Sequence, residues 1–352
     1  MQEESGHTTK RQLTSTDAIE RSLAPFGLEA HSDIPHFQSS LAHVTTPLPG
    51  AEPYRRVREF SVTGQYDYTM LGEFLTHRYP HVPVAQWQDA VAAGDITVES
   101  QPVHDWDREL RAGMRLRHDI CWVTEPAIAT SIEVLYHDAH FLALAKPAPL
   151  PVHASGRFFK NTLIALLQEA LGSELLRPPH RLDADTSGVQ LLAKTRAAAA
   201  TLTEQFATRT VAKHYLARVD GHPIWQQHEV TAAIARGPGH VGQRTLGVGD
   251  AAATSFECVM RMPHNQALVL AKPHTGRTNQ IRLHLRACGH PVCGDNIYGK
   301  TEHDLSAPAV PVFSRGTLQL HALALEFDHP HDRHRMRVLA PIPAWATGGD
   351  RG

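Results

Sequence analysis

Apolar positions along the chain change their period several times, and each change predicts an element. In "TMLGEFLTHRY" the residues Met70, Leu71, Phe74 and Leu75 recur at helical spacing, and in "VAQWQDAVAAG" Trp87, Ala90 and Val91 do so before Gly94. "DITVESQPV" and "RLRHDI" read as short strands, with a turn at Gly113 between the later elements. "SIEVLYHDAHFLALAKP" predicts two strands around a polar turn, ended by Pro147. "NTLIALLQEAL" predicts a helix capped by Asn161 or Thr162. "GVQLLAKT" and "AKHYLARVDG" predict strands, and "TRAAAATLTEQFATR" between them a helix with Leu202 and Phe206 one turn apart. Residues 224–273 read as several strands joined by glycine-rich loops. "TGRTNQIRLHLRACG" predicts a helix over 278–288, capped by threonine and closed by Gly289. The sum is a mixed α/β chain rich in strand, with neither regular βαβ alternation nor a repeat.

Three segments follow from the same pattern. Residues 1–58 are polar and punctuated by Pro, Ser and Gly, with one short amphipathic helix candidate, "TDAIERSLAPF"; they are expected to be a weakly ordered extension. Residues 59–122 combine two helices and a small sheet in a compact α+β module. Residues 123–346 form the larger domain.

Composition narrows the class. Hydrophobic residues make up 42% and charged residues 20%, an ordinary globular balance. No run reaches the roughly 18 apolar residues of a membrane span, and "MQEESGHTTKRQ" lacks a signal-peptide core. None of the four cysteines forms a CxxC pair. The expectation is a cytoplasmic enzyme with no membrane association. The net charge of −2 hides a local asymmetry. Between Glu257 and Asp295 there is no acidic residue, whereas Arg261, Lys272, Arg277, Arg282 and Arg286 fall in that stretch. A polyanion fits there.

The densest chemistry is "HRLDADTSG", residues 180–188, placed where the chain enters a strand. Three readings stay open: a polar turn, two carboxylates (Asp183 and Asp185) flanking a glycosidic bond, or one aspartate presented to a substrate. In the helix 278–288, Ile281, Leu285 and Cys288 share one buried stripe, which sets Arg282 and Arg286 one turn apart on its flank. An arginine beside a buried stripe needs a counter-ion, and Asp183 is the candidate. An ionised, oriented carboxylate suits attack at a sugar carbon better than proton donation. His284, Cys288, His290 and Cys293 cluster in sequence, but their spacing matches no common zinc pattern. "HPHDRH" near the C-terminus reads as a solvated hairpin turn. No metal site is assigned.

Several of these segments belong together. "HRLDADTSGVQLLAKT", "KHYLARVDG" and "TGRTNQIRLHLRACGHPVCGDNIYG" follow one another between "VLYHDAHFLALAKPAPLPVH" and "LHALALEFDHP". In that order, over residues 131–342, they resemble the motifs of the RluA-type pseudouridine synthases, which isomerise uridine within RNA. The resemblance implies the pseudouridine-synthase catalytic fold, α+β with a central mixed, mostly antiparallel sheet. It implies Asp183 as the essential aspartate, Tyr215 as the active-site tyrosine and Arg282 as the arginine that pairs with the aspartate. Arg181 corresponds to the arginine that fills the space left when the target base swings out, and Arg277 and Arg286 are expected to contact RNA. RNA is then the partner; no cofactor, nucleotide or metal is required, and a monomer is expected. From the residues alone, a catalytically inactive RNA-binding protein of the same fold remains open, as does a nucleoside or glycoside hydrolase using Asp183 and Asp185.

The chain departs from the family at two positions. Asn279 stands where histidine is usual, and Cys293 where an aliphatic residue is common. Residues 66–120 loosely resemble the RNA-binding module named for ribosomal small-subunit protein four, without its usual Asn-Gly turn. "LRHDICWVTEPAI" and "PLPVHASGRFFKNTL" resemble the branch acting on transfer RNA more than the ribosomal branch, so transfer RNA is expected ahead of large-subunit ribosomal RNA.

Overall fold

A computed structural model describes residues 35–79, 82–172, 176–236, 244–299 and 318–347, together with Thr16, Asp17 and Ile19. In chain order the first part holds α1 (Pro35–Thr45), β1 (Tyr54–Ser61), α2 (Leu71–Arg78), α3 (Val84–Ala92), β2 (Ile96–Val98), β3 (Gln101–Pro102) and β4 (Arg115–Val123). The strands form an antiparallel sheet of order β1-β4-β2-β3. Leu71, Phe74 and Leu75 of α2 pack with Trp87 and Val91 of α3 over Ile96, Val98 and Leu116. Their i, i+3, i+4 spacing makes one apolar stripe per helix. Met70, expected on that stripe, instead precedes the first helical turn and is exposed.

The larger part holds β5 (Glu133–His137), β6 (Phe141–Lys146), α4 (Leu163–Leu171), β7 (Ser187–Ala193), α5 (Arg196–Ala207), β8 (Ala212–Asp220), β9 (Gln227–Thr231), β10 (Ile234–Arg236) and β11 (Arg244–Leu246). After these come β12 (Ala253–Met262), β13 (Gln266–Pro273), α6 (Gln280–Ala287), β14 (Leu320–Asp328) and β15 (Arg335–Leu339). Among the described residues nine strands build one sheet of order β5-β6-β7-β14-β8-β13-β12-β9, with β15 on β14. Only the β7–β14 pair is parallel, so the sheet is mixed and mostly antiparallel.

The central strands are buried on both faces, which explains their continuous apolar runs. Leu142 and Leu144 of β6 turn toward Leu163, Leu166 and Leu167 of α4, while Phe141 and Ala143 turn toward Ala198 and Leu202 of α5. That alternation is the two-residue period of a strand. Thr162 caps α4 by accepting from Ala165 N, and Thr195 caps α5 by accepting from Ala198 N. Ile281 and Leu285 seat α6 on Ala217, Val219 and Val269 of the same sheet.

Residues 35–58 differ from the weakly ordered extension expected of them. Leu41 and Val44 of α1, three residues apart, are buried against α4. β1 starts at Tyr54 and pairs with β4 along its length. The surrounding Pro and Ser residues masked a short apolar stripe that has meaning only once α4 is there to cover it. Of "TDAIERSLAPF" only Thr16, Asp17 and Ile19 are described, and Ile19 is buried against Leu216, Leu268 and Leu323; the rest lies outside the described residues. Among the described residues no helix is long and apolar enough to cross a membrane.

Candidate active site

The segment 180–188 is pinned at almost every residue. Leu182 N donates to Gln190 Oε1 at 3.2 Å, and Gln190 Nε2 donates to His180 O at 2.9 Å. Thr186 N donates to Asp183 O at 3.1 Å, closing a turn, and Leu150 N donates to Ala184 O at 2.9 Å. Beneath the turn lies Lys146, fully buried at the end of β6. Its Nζ donates to the carbonyls of Leu150, Pro147 and Ala184 at 2.8, 3.0 and 3.2 Å. One ammonium thus reaches three main-chain acceptors, of which Ala184 O also accepts from Leu150 N. Burial lowers the Lys146 pKa to about 7, against the opposing pull of Asp185 and Asp183.

Gly188 completes the entry into β7. Its φ is +111°, and a Cβ there would stand 2.1 Å from the carbonyl oxygen of Ala322 on β14. Only glycine permits this approach, and the approach is what brings the 183–187 turn against β14 and β8. The Asp183 side chain remains 37% exposed.

Tyr215 stands on β8 between Ala271 of β13 and Ala322 of β14. It is half-buried and forms part of the cleft wall. Burial, and then the neighbouring charge of Asp183, push its phenol above the ordinary range.

Arg282 projects from α6. The helix begins at Gln280, after Asn279 in the left-handed conformation at φ +58°; the expected threonine cap is not used. Asparagine tolerates that conformation better than most residues. Asn279 Oδ1 accepts from Arg282 Nη1 at 3.1 Å, while its Nδ2 donates to the Tyr298 hydroxyl at 3.0 Å. The guanidinium also lies 4.9 Å from the centre of the Tyr298 ring, a cation–π contact.

The expected ion pair of Arg282 with Asp183 is present at long range, and a second carboxylate lies closer. The two short hydrogen bonds of Arg282, both 2.7 Å, go to Asp295; Asp183 lies at 4.0 Å from Nη1. The α6 flank faces two carboxylates, and the planar fork of arginine takes the one that can meet it edge-on. Asp295 lies in "GDNIYG", and its legible signal was a lone acidic residue just beyond a long basic stretch. Lys146 was also missed, and its signal was a charge at an apolar position of a buried strand.

These side chains open on a cleft of about 420 Å³ whose wall includes Arg181, Asp183, Tyr215, Lys213, Arg277 and Arg282. Arg181 is exposed at its mouth. Arg277 is held by Asp250 at 3.5 Å and by the Ala251 carbonyl at 3.3 Å. Lys213 Nζ donates to Thr275 O at 2.9 Å; burial lowers its pKa to about 8. Arg286, one turn beyond Arg282, is half-buried and is not on the cleft wall. Asp185 is not on the wall either. Its Oδ1 is buried without a hydrogen-bond partner, and burial raises its pKa despite the nearby Arg282 and Lys146. The two aspartates therefore do not flank a common substrate bond. His284 is engaged through both ring nitrogens, by Thr254 Oγ1 at 3.0 Å and the Ala232 carbonyl at 3.1 Å, which removes it as a metal ligand.

Comparison with known proteins gives this cleft a family. Residues 140–287 match the family model described as RNA pseudouridylate synthase. Over 305 residues the chain is 33% identical to ribosomal large subunit pseudouridine synthase C of Escherichia coli, covering 81% of this chain and 93% of that protein. It is 40% identical over 217 residues to the protein of the same name from Yersinia pestis, covering 59% of this chain and 65%, just under two thirds, of that one. Among solved structures, human RNA pseudouridylate synthase domain containing 1 aligns with a TM-score of 0.51 at 28% identity, covering 62% of this chain and 87% of that one. The chain belongs to the RNA pseudouridylate synthase family.

Proposed function

We propose that this protein converts uridine to pseudouridine within large-subunit ribosomal RNA, with Asp183 as the reacting carboxylate. The observation that carries the reading is a solvent-accessible Asp183 set 4.0 Å from the buried Arg282, with Tyr215 on the same cleft wall. A uridine in folded RNA must leave its stack to reach such a wall. Arg181 at the mouth stands where it can occupy the vacated space, and Arg277 and Lys213 supply charge for the phosphates. Arg286, set back from the wall, contributes at longer range.

In the reaction the bond from C1′ to N1 breaks, the base turns, and a bond from C1′ to C5 forms. C5 loses a proton and N1 gains one, so nothing is oxidised, hydrolysed or supplied from outside. No cofactor is needed. Asp183 reaches the sugar side of the bond, Tyr215 stacks on or exchanges a proton with the base, and Arg282 fixes the carboxylate's electrostatic surroundings. A monomer is proposed as the working form. The sheet of residues 54–123, which carries Arg56, Arg58, Arg115 and Arg117 on β1 and β4, is proposed as a second RNA-contacting surface.

The substrate moves from transfer RNA, favoured by the flanking segments, to large-subunit ribosomal RNA because relatives aligned over most of their length carry that name. Pseudouridine mapping by chemical tagging, in total RNA from cells with and without this gene, tests it. Loss of a large-subunit site is expected. Loss confined to a transfer RNA would overturn the substrate, and release of free uracil by the purified protein would overturn the reaction.

A further inference from the structure

The turn between β14 and β15, residues 329–334, gathers three side chains around one point. His329 is buried, its side chain 6% exposed, and its Nε2 lies 2.7 Å from Oδ2 of Asp138 in the β5–β6 turn. Oδ1 of Asp138 already accepts the main-chain N–H groups of His140 and Phe141 at 2.7 and 2.8 Å. An ionised carboxylate only accepts, so Nε2 of His329 carries a hydrogen, and a ring with its hydrogen there alone presents a lone pair at Nδ1. The N–H groups of His331 and Asp332 also point at Nδ1, from 3.3 and 3.4 Å.

That lone pair faces another acceptor. Oδ1 of Asp332 lies 2.9 Å from His329 Nδ1 and 2.5 Å from His334 Nδ1. The two imidazoles are stacked with centroids 4.9 Å apart and planes 15° apart, so both Nδ1 atoms look to the same side. The backbone holds this arrangement: His329 N donates to His334 O at 2.8 Å, and Arg333 N donates to His329 O at 3.0 Å. A carboxylate oxygen against an imidazole lone pair is repulsive unless a positive centre sits between them.

The three donor atoms lie within 4.8 Å of one another. A tetrahedral zinc ion, about 2.0–2.2 Å from its ligands, separates them by roughly 3.3 Å. Reaching that spacing asks the Asp332 and His334 side chains, both about half exposed, to shift by up to roughly 1.5 Å. A buried histidine tied through one nitrogen to a carboxylate is the usual setting of a metal-ligating histidine, and an ion at Nδ1 would take the place of the two long N–H contacts from His331 and Asp332. From this geometry we infer that His329, Asp332 and His334 bind one transition-metal dication, zinc(II) by its donor set, oriented by Asp138. The ion clamps the β5–β6 turn to the β14–β15 turn. It lies outside the cleft and takes no part in the reaction, so the inference is independent of the proposed function.

The test uses untagged full-length protein, stripped with a chelator and titrated with cobalt(II) and then zinc(II). The wild type is expected to take up one equivalent of cobalt(II), with the visible absorption of a four-coordinate ion that zinc(II) displaces, and zinc(II) should raise its thermal midpoint. His334→Ala and Asp332→Ala, at exposed positions that the fold tolerates, should each weaken binding by about 10–100-fold and abolish the midpoint shift. Equal binding by wild type and both variants would place the metal on other histidines and overturn the inference. So would nitrogen-resolved magnetic resonance showing His329 with hydrogens on both ring nitrogens that excess zinc(II) fails to displace.

Discussion

Arg282 and Asp295 meet through two parallel hydrogen bonds of 2.7 Å, Nε to Oδ2 and Nη2 to Oδ1, with the arginine side chain 7% exposed and the aspartate side chain wholly buried. Asp295 Oδ1 also accepts from the main chain of Ile297 and Tyr298, both at 2.9 Å. The guanidinium is therefore fastened from behind, and Nη1, which also donates to Asn279 Oδ1, is the atom that faces Asp183. Asp183 meets a fixed charge rather than a mobile partner.

Breaking this pair is expected to cost stability before it costs chemistry. Asp295→Leu leaves a buried guanidinium without its carboxylate, a loss of about 3–5 kcal/mol in urea unfolding. Arg282→Met leaves Asp295 buried and unpaired, with a similar loss. The double variant, in which two apolar side chains face each other, should regain most of the stability while isomerisation stays absent. Recovered activity in the double variant would show that Arg282 serves the fold alone.

The two aspartates of the 183–187 turn should separate cleanly. Asp183→Asn is expected to lower single-turnover isomerisation by at least about 10³-fold, the scale of a lost reacting group, with RNA affinity little changed because phosphate contacts supply most of it. Asp185→Asn should have a much smaller effect on the rate, since that carboxyl lies behind the wall. Equal losses would restore the paired-carboxylate chemistry that the geometry disfavours.

Long apolar stripes and strongly patterned strands were legible in the sequence because they rest on local periodicity. α4, α5, β6, β7 and β8 lie where the pattern puts them, and Asp183, Tyr215 and Arg282 reach one cleft as the resemblance implied. What was not legible depends on distant partners. Arg282 lies at 2.7 Å from Asp295 and at 4.0 Å from Asp183, distances that only the folded loops set. α1 exists because α4 covers Leu41 and Val44. Asn279, rather than threonine, starts α6 because the chain must turn through a left-handed residue after the loop from β13.

The β2–β3 turn shows how far a local signal can be overridden. Val98 pairs with Gln101, which leaves Glu99 and Ser100 as a two-residue turn with φ of +47° and +68°. Both values are positive, as a type I′ turn requires, although neither residue is Asn or Gly. Glu99 accepts a hydrogen bond from Arg115 N, which offsets part of the strain. Ser100 has no such compensation among the described contacts. Ser100→Gly is expected to stabilise the chain by about 0.5–1 kcal/mol, read as a raised urea midpoint with unchanged isomerisation. A lowered midpoint would mean that the turn gains more from serine than its backbone loses.

Two histidines near the 183–187 turn, His321 buried and His180 half-buried, should make the fold acid-labile. His180 Nε2 accepts Leu191 N at 3.1 Å, and its ring stacks on Phe206 at 4.5 Å. His321 Nδ1 lies 2.8 Å from Ser187 Oγ. Burial, reinforced by Lys213, pushes His180 down to about 3, and burial pushes His321 down to about 4. In the unfolded chain both return to about 6.5. Between pH 6.5 and 4 the unfolded chain thus binds protons that the fold refuses. Their stabilising effect is complete above about pH 6.5 and is lost as pH falls toward the folded values, with a limiting slope of about 1.4 kcal/mol per pH unit for each ring. His118 of the smaller sheet, pushed down to about 4 mainly by burial, adds the same dependence there. Urea unfolding at stepped pH from 8 to 4 measures the slope, and His321→Asn should reduce it by one proton. A profile flat across that window would mean that these rings take up protons in the folded chain, contrary to their lowered pKa values.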